Sequence, residues 1–195
     1  MNKTFLILYV FVIFLSGCAT SNVSKSFTTQ ELNKDGVVIF SVTKTLSKKG
    51  EQSSRFAEVS LGYINKTTKK QGSVTTDSTY GLISSKSDFE NIKGKLFVIK
   101  LESGRYEFNS WVIRTRGLGG DRYILLQDVK TTPFEVKQNQ VIYLGELNID
   151  MIVQKNFFGT NLIFGGELNI KDSFDRDMKV LQKNYPKIEL TRVIR

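Results

Sequence analysis

A search of this chain for groups able to move a proton or bind a metal finds no histidine and a single cysteine, Cys18. Those two counts together remove Ser-His-Asp and Cys-His catalysis, imidazole-ligated metals and internal disulfides. Carboxylate, guanidinium and ammonium chemistry remain. Arg114, Arg116 and Arg122 surround the run Gly117-Leu118-Gly119-Gly120, and three guanidinium forks beside backbone N–H groups fit a phosphate, a carboxylate or an acidic partner. The run lacks the Gly-Lys-Ser/Thr ending of a P-loop, and a solvated turn between two strands is its plainer reading. Glu146 and Glu167 occupy matching places in two copies of Gly-Glu-Leu-Asn-Ile, at 145–149 and 166–170. An antiparallel pairing that sets Gly145 against Leu168 and Leu147 against Gly166 also sets these two acids opposite each other, where a carboxylate-dependent hydrolase would hold them. Like charges so placed need a cation between them, such as Lys100 or a bound metal. Exposed acids on the solvent face of a sheet are the ordinary alternative.

Positioning these groups falls to strands. The chain has 195 residues, 40% hydrophobic and 24% charged, with fourteen phenylalanines, seven tyrosines and only two prolines, which suits one globular core and excludes a low-complexity linker. Runs rich in Val, Ile, Phe, Tyr and Thr recur at 37–43, 55–64, 79–84, 95–101, 105–113, 123–127, 134–137, 140–149, 161–170 and 187–194. The expected class is mainly β, an antiparallel β-sandwich with one C-terminal amphipathic helix. Strands 95–101 and 105–113 flank Glu102-Ser103-Gly104, which predicts a β-hairpin. Alternation puts Tyr106, Phe108 and Val112 on one face, with Glu107, Asn109, Trp111 and Ile113 on the other. It also gives inner faces of Val141, Tyr143, Gly145, Leu147 and Ile149, and of Leu162, Phe164, Gly166, Leu168 and Ile170. Phe174, Met178, Leu181 and Tyr185 form one apolar stripe of a helix over 172–184, capped by Asp172 or Ser173 and stopped by Pro186. Residues 67–78, without an aromatic, read as a loop.

The first seventeen residues read as an export signal, with Lys3 ahead of a twelve-residue apolar run at 4–15 that is too short to span a bilayer. The run ends in Leu15-Ser16-Gly17-Cys18, which resembles a bacterial lipobox. That resemblance implies cleavage between Gly17 and Cys18, a diacylglycerol thioether on Cys18, and attachment of the protein to a membrane by its acyl chains alone. Ala19 after the cysteine, where lipoproteins kept at the inner membrane carry Asp, implies the outer membrane if the host has two. Residues 18–36 then read as the acylated cysteine and a polar flexible tether, and 37–195 as a single β-sandwich domain. The formal charge of +9 favours anionic envelope material over nucleic acid in an exported protein, and no cofactor is expected.

Further along, 96–101, Ser103-Gly104-Arg105-Tyr106-Glu107-Phe108, Phe134-Glu135-Val136 and Asn139-Gln140-Val141-Ile142-Tyr143-Leu144-Gly145 together resemble the small transthyretin-like or PEGA-like β-sandwiches of bacterial lipoproteins. The resemblance covers about 95–186, with Ser103 where those modules usually carry Pro. The expected role is a non-catalytic binding or scaffolding module that contacts an envelope protein or an anionic polymer. A carboxylate-dependent envelope hydrolase, or a carrier of lipid or another small ligand, is the alternative on the same scaffold.

Overall fold

Short apolar runs build two five-stranded sheets here, and three single-residue insertions within the strands decide which side chains each sheet turns inward. The computed structural model describes residues 22–46, 57–76, 86–117, 120–126, 131–159 and 161–195. One sheet contains β1 (Asp35–Leu46), β4 (Lys93–Glu102), β8 (Val141–Lys155), β9 (Asn161–Lys171) and β10 (Val193–Ile194). Its order is β10-β8-β1-β4, with β9 also on β8. The other contains β2 (Ala57–Asn65), β3 (Gln71–Thr75), β5 (Gly104–Gly117), β6 (Gly120–Leu125) and β7 (Phe134–Val136), ordered β3-β2-β5-β6 with β7 on β5. Among the described residues there is one α-helix, α1 (Phe174–Asn184), which follows β9. The molecule is therefore mainly β, two sheets with a C-terminal helix. Two of its pairings, β1 with β8 and β10 with β8, are parallel, a feature that alternation along one strand does not encode.

Within the first sheet β1 is buried on both faces, which explains why it reads as an almost unbroken apolar run from Val37 to Val42. Val38, Phe40 and Val42 point into the core between the sheets, where they meet Leu61, Phe97, Phe108, Trp111 and Ile113. Val37 and Ile39 point the other way, into a second core with Leu96, Val98, Tyr143, Met178, Leu181 and Tyr185. The apolar stripe of α1 thus covers the outer face of this sheet.

The chain before β1 is part of that second core. Phe27 and Leu32 are buried in it, the Val23 amide donates to the Val98 carbonyl at 2.9 Å, and the Asn22 side chain bonds Leu96 and Val98. This corrects the expected tether at 18–36: from Asn22 onwards these residues cover the free edge of β4, and only 19–21 separate them from Cys18.

The hairpin expected between 95–101 and 105–113 does not form. β4 pairs with β1 and β5 with β2, so Glu102-Ser103-Gly104 carries the chain from one sheet to the other. Gly104 is needed there because a Cβ would lie 2.6 Å from Asn65 Nδ2.

The inserted residues account for the face assignments that differ. In β5, Gly62 opposes Ser110 and Tyr63 opposes Phe108, leaving Asn109 as a bulge. Tyr106 and Phe108 are therefore buried before it, and Trp111 and Ile113 after it, while Val112 turns away. In β8, Ile39 opposes Tyr143 and Ser41 opposes Glu146, with the bulge at Leu144-Gly145, where Gly145 takes φ +95°. Val141 and Tyr143 consequently face the helix, whereas Leu147 and Ile149 face the other sheet. In β9 the bulge at Phe164 leaves that ring exposed. Ile170, also expected inside, is exposed as well.

Strand β3 forms inside the segment expected to be a loop. The strand expected over 187–194 is reduced to a 3-10 turn, Leu190–Arg192, and the two-residue β10. The strand expected over 79–84 lies outside the described residues.

Candidate functional site

The bulge at Gly145 turns Glu146 onto the face of β8 that lies beneath α1, and there the polar residues of the sheet and helix meet. Ser41 and Thr43 reach the same place from β1, and Asn148 from β8; all four are buried. From the helix come Arg176 and Asp177, and from the residue before it Ser173. Thr43 and Ser173 donate their hydroxyls to the two oxygens of Glu146. Arg176 Nη1 donates to Glu146 Oε2 at 3.0 Å, while its Nε and Nη2 donate to Asp177 Oδ1 at 2.9 and 2.7 Å. Asp177 Oδ2 accepts from Ser41 at 2.6 Å and from Tyr143 at 2.8 Å. Asn148 Nδ2 donates to Thr43 Oγ1 at 2.9 Å. The Arg176 guanidinium lies over the Phe89 ring, 4.2 Å from its centroid.

One guanidinium thus clasps two buried carboxylates, but it does not affect them equally. Burial pushes the Glu146 carboxyl up, yet the hydroxyls of Ser173 and Thr43 and the charges of Arg176 and Lys171 outweigh it and hold Glu146 below the ordinary glutamate range. For Asp177 burial prevails over Ser41, Arg176 and Tyr143, and its carboxyl is raised. Burial and the Asp177 charge push the Tyr143 phenol well above its ordinary range, so it remains a proton donor.

Glu146 and Glu167, expected as a facing pair, are apart. The register sets Glu146 opposite Lys171 and Glu167 opposite Asp150, so the expected Glu146–Glu167 pair does not form and Lys100 does not bridge it. Lys100 pairs instead with Asp35 at 3.2 Å.

The arginine run forms the β5–β6 hairpin. Arg114 is engaged within it, bonded to Glu58 at 3.0 Å and to Asp121 through Nε and Nη2 at 3.0 and 2.5 Å. Arg116 pairs across the hairpin with Asp121 by its backbone. Arg122 is exposed and lies over the Phe164 ring at 4.8 Å. Arg114 and Arg122 therefore do not converge on one anion, and the Arg116 side chain lies outside the described ones. Cys18 and Gly17 lie outside the described residues. Among the described residues no helix is long and apolar enough to cross a membrane, and no group of three or more His, Cys, Asp or Glu is placed to hold a metal.

Sequence reading passed over two features. Asp177 falls on the helix stripe, three residues after Phe174 and four before Leu181, and an acid on a buried stripe signals a buried partner. Ser41-Val42-Thr43-Lys44 has the Ser-x-x-Lys spacing of a serine–lysine dyad, but on a strand those ends face opposite ways. Ser41 bonds the helix, and Lys44 donates to the Ala57 carbonyl of the other sheet.

Several large apolar side chains are left outward. Tyr123 and Leu125 on β6, Phe164 and Ile170 on β9, and Phe157 and Phe158 at the β8–β9 turn are all exposed. Among the described residues β6 and β9 are each hydrogen-bonded to one neighbour, so these side chains flank sheet edges.

No protein-family profile and no curated protein matches this chain. Among solved structures, a leucine-rich repeat protein from Bacteroides thetaiotaomicron is similar at 17% identity over 63% of this chain and 14% of that one, with a TM-score of 0.36, too low to bear on fold or function.

Proposed function

We propose that this chain is a lipoprotein of the bacterial envelope, anchored through acylated Cys18, whose sandwich serves as a non-catalytic binding or scaffolding module. In a host with two membranes, Ala19 assigns it to the outer one. The observation that carries the binding role is a division of labour between side chains. The buried carboxylates Glu146 and Asp177 are bonded to the sheet and helix that hold them, whereas large apolar side chains on β6, β9 and the β8–β9 turn stand in solvent. The transthyretin-like or PEGA-like resemblance belongs to this reading, and its motif residues are core: Tyr106 stacks on Phe134 at 5.8 Å, and Tyr143 lies under the helix. The expected partner is an envelope protein or an anionic envelope polymer, met at the β6 and β9 edges.

Two measurements test this. Metabolic labelling with a palmitate analogue is expected to mark the wild-type chain and to leave Cys18→Ala unmarked; an unlabelled wild type overturns the anchor. A photo-crosslinker at Leu125 is expected to join the protein to one abundant envelope component, and the yield is expected to drop when Tyr123 and Phe164 are replaced by Ser. An unchanged yield overturns the assignment of that surface.

A further inference from the structure

The β8–β9 turn holds the most exposed aromatic residues among those described. Phe157 is 97% and Phe158 85% exposed, their rings set edge to face at 5.6 Å. The turn that presents them is a held one. The Asn156 side chain accepts the Phe158 amide at 3.0 Å, the Asn156 carbonyl accepts the Gly159 amide at 2.9 Å, and Gly159 takes φ +74°. β8 and β9 stay paired to Lys155 and Asn161, four residues beyond Met151, the last β8 position opposed by a described residue of β1, so the rings cap a two-stranded ribbon.

The chemistry of this ribbon is one-sided. From Met151 to Gly166 there is no acid, and the one charge is Lys155, immediately behind the rings. A convex tip with an aromatic end, a collar of Gln154, Asn156 and Asn161, and one cation at the collar matches the layering of a bilayer surface: apolar acyl chains, polar headgroups, anionic phosphates. A protein pocket would have to be cut to two divergent rings, whereas lipid deforms around them. The lipid is also within reach, on the reading of Cys18 given above. Asn22 is fixed to β4, and the chain from Cys18 to Asn22 extends at most about 14 Å, which sets the body of the domain against the leaflet that holds the anchor.

We infer that the Phe157–Phe158 turn is a second membrane contact, inserting into the anionic lipid surface to which Cys18 holds the domain. The test uses residues 22–195, since both cores and all strands are built from residue 23 onwards, and the variant Phe157→Trp as probe. Vesicles of phosphatidylethanolamine and phosphatidylglycerol are expected to shift the new tryptophan emission to the blue and brominated lipid to quench it, while buried Trp111 stays silent. Replacing both phenylalanines by Ser is expected to reduce sedimentation with vesicles by about tenfold or more without changing the thermal melt, and added salt to weaken the remainder. An unquenched probe, or a double variant that binds as wild type does, overturns the inference; so does capture of the turn in a protein pocket with no vesicle binding. Because this protein lacks Cys18, its result is independent of the palmitate labelling, and either reading can fail alone.

Discussion

Glu146 and Asp177 answer the same guanidinium from opposite sides of their ordinary pKa ranges, and that opposition should show in the pH dependence of stability. Glu146 is held low, so its ionised form contributes stability above the unfolded value, and the contribution is lost as pH falls through the depressed one. Asp177 is held high, so its contribution has the other sign, complete below the unfolded value and lost as pH rises through the raised one. Urea midpoints across pH are expected to rise on mild acidification and then fall. Asp177→Asn should flatten the rise and Glu146→Gln the fall. At neutral pH, Glu146→Ala leaves Arg176 on Asp177 but takes the acceptor from Arg176 Nη1 and from the Thr43 and Ser173 hydroxyls, and is expected to cost about 1–3 kcal/mol, read from the same urea curves. A merely exposed glutamate would move the midpoint by less than about 0.5 kcal/mol.

At the scale of the element, a single inserted residue decides which face is core. Deleting Asn109 from β5 removes the bulge and leaves Tyr106, Phe108, Trp111 and Ile113 in strict alternation on the inward face, so the variant is expected to fold cooperatively with the Trp111 emission still that of a buried indole. Gly145→Ala is destabilising: φ +95° disfavours a side chain and the new Cβ would meet the Lys171 carbonyl at 3.0 Å, for a loss of about 1–2 kcal/mol on thermal unfolding. The same bulges mark where the sequence was legible. Period-two alternation located most strands, and period 3.6 located α1, because burial alone writes those patterns. Alternation fails one residue beyond each insertion, as at Val112, Phe164 and the Gly145–Leu147 face, because nothing in one strand records how many residues oppose it. Pairing was less legible still. Lys95–Leu101 and Arg105–Ile113 look like a hairpin, but β1 and β2 take those edges instead. Of the candidate site, the sequence points to Glu146 through a partner, Glu167, that it does not meet, and to Asp177 only as the acid on an apolar stripe.

The whole molecule depends on its ends. Residues 22–33 bury Phe27 and Leu32 and cover the edge of β4, so removing them is expected to destabilise the fold by more than a Leu32→Ala change, about 2–5 kcal/mol, and to promote association through the bared strand, measurable by light scattering. At the other end, β10 and α1 seal the parallel side of β8. The central strand of this sheet is β1, whose two neighbours are β4 and, in parallel, β8. Synthesis proceeds from the N-terminus, so β1 emerges early and its parallel neighbour more than half a chain later. Until then one hydrogen-bonding edge of an apolar strand has nothing of its own chain to pair with. Such long-range closure makes folding slow, in the millisecond-to-second range rather than microseconds, and leaves a window in which the nascent or translocating chain depends on a chaperone to keep that edge from meeting another copy.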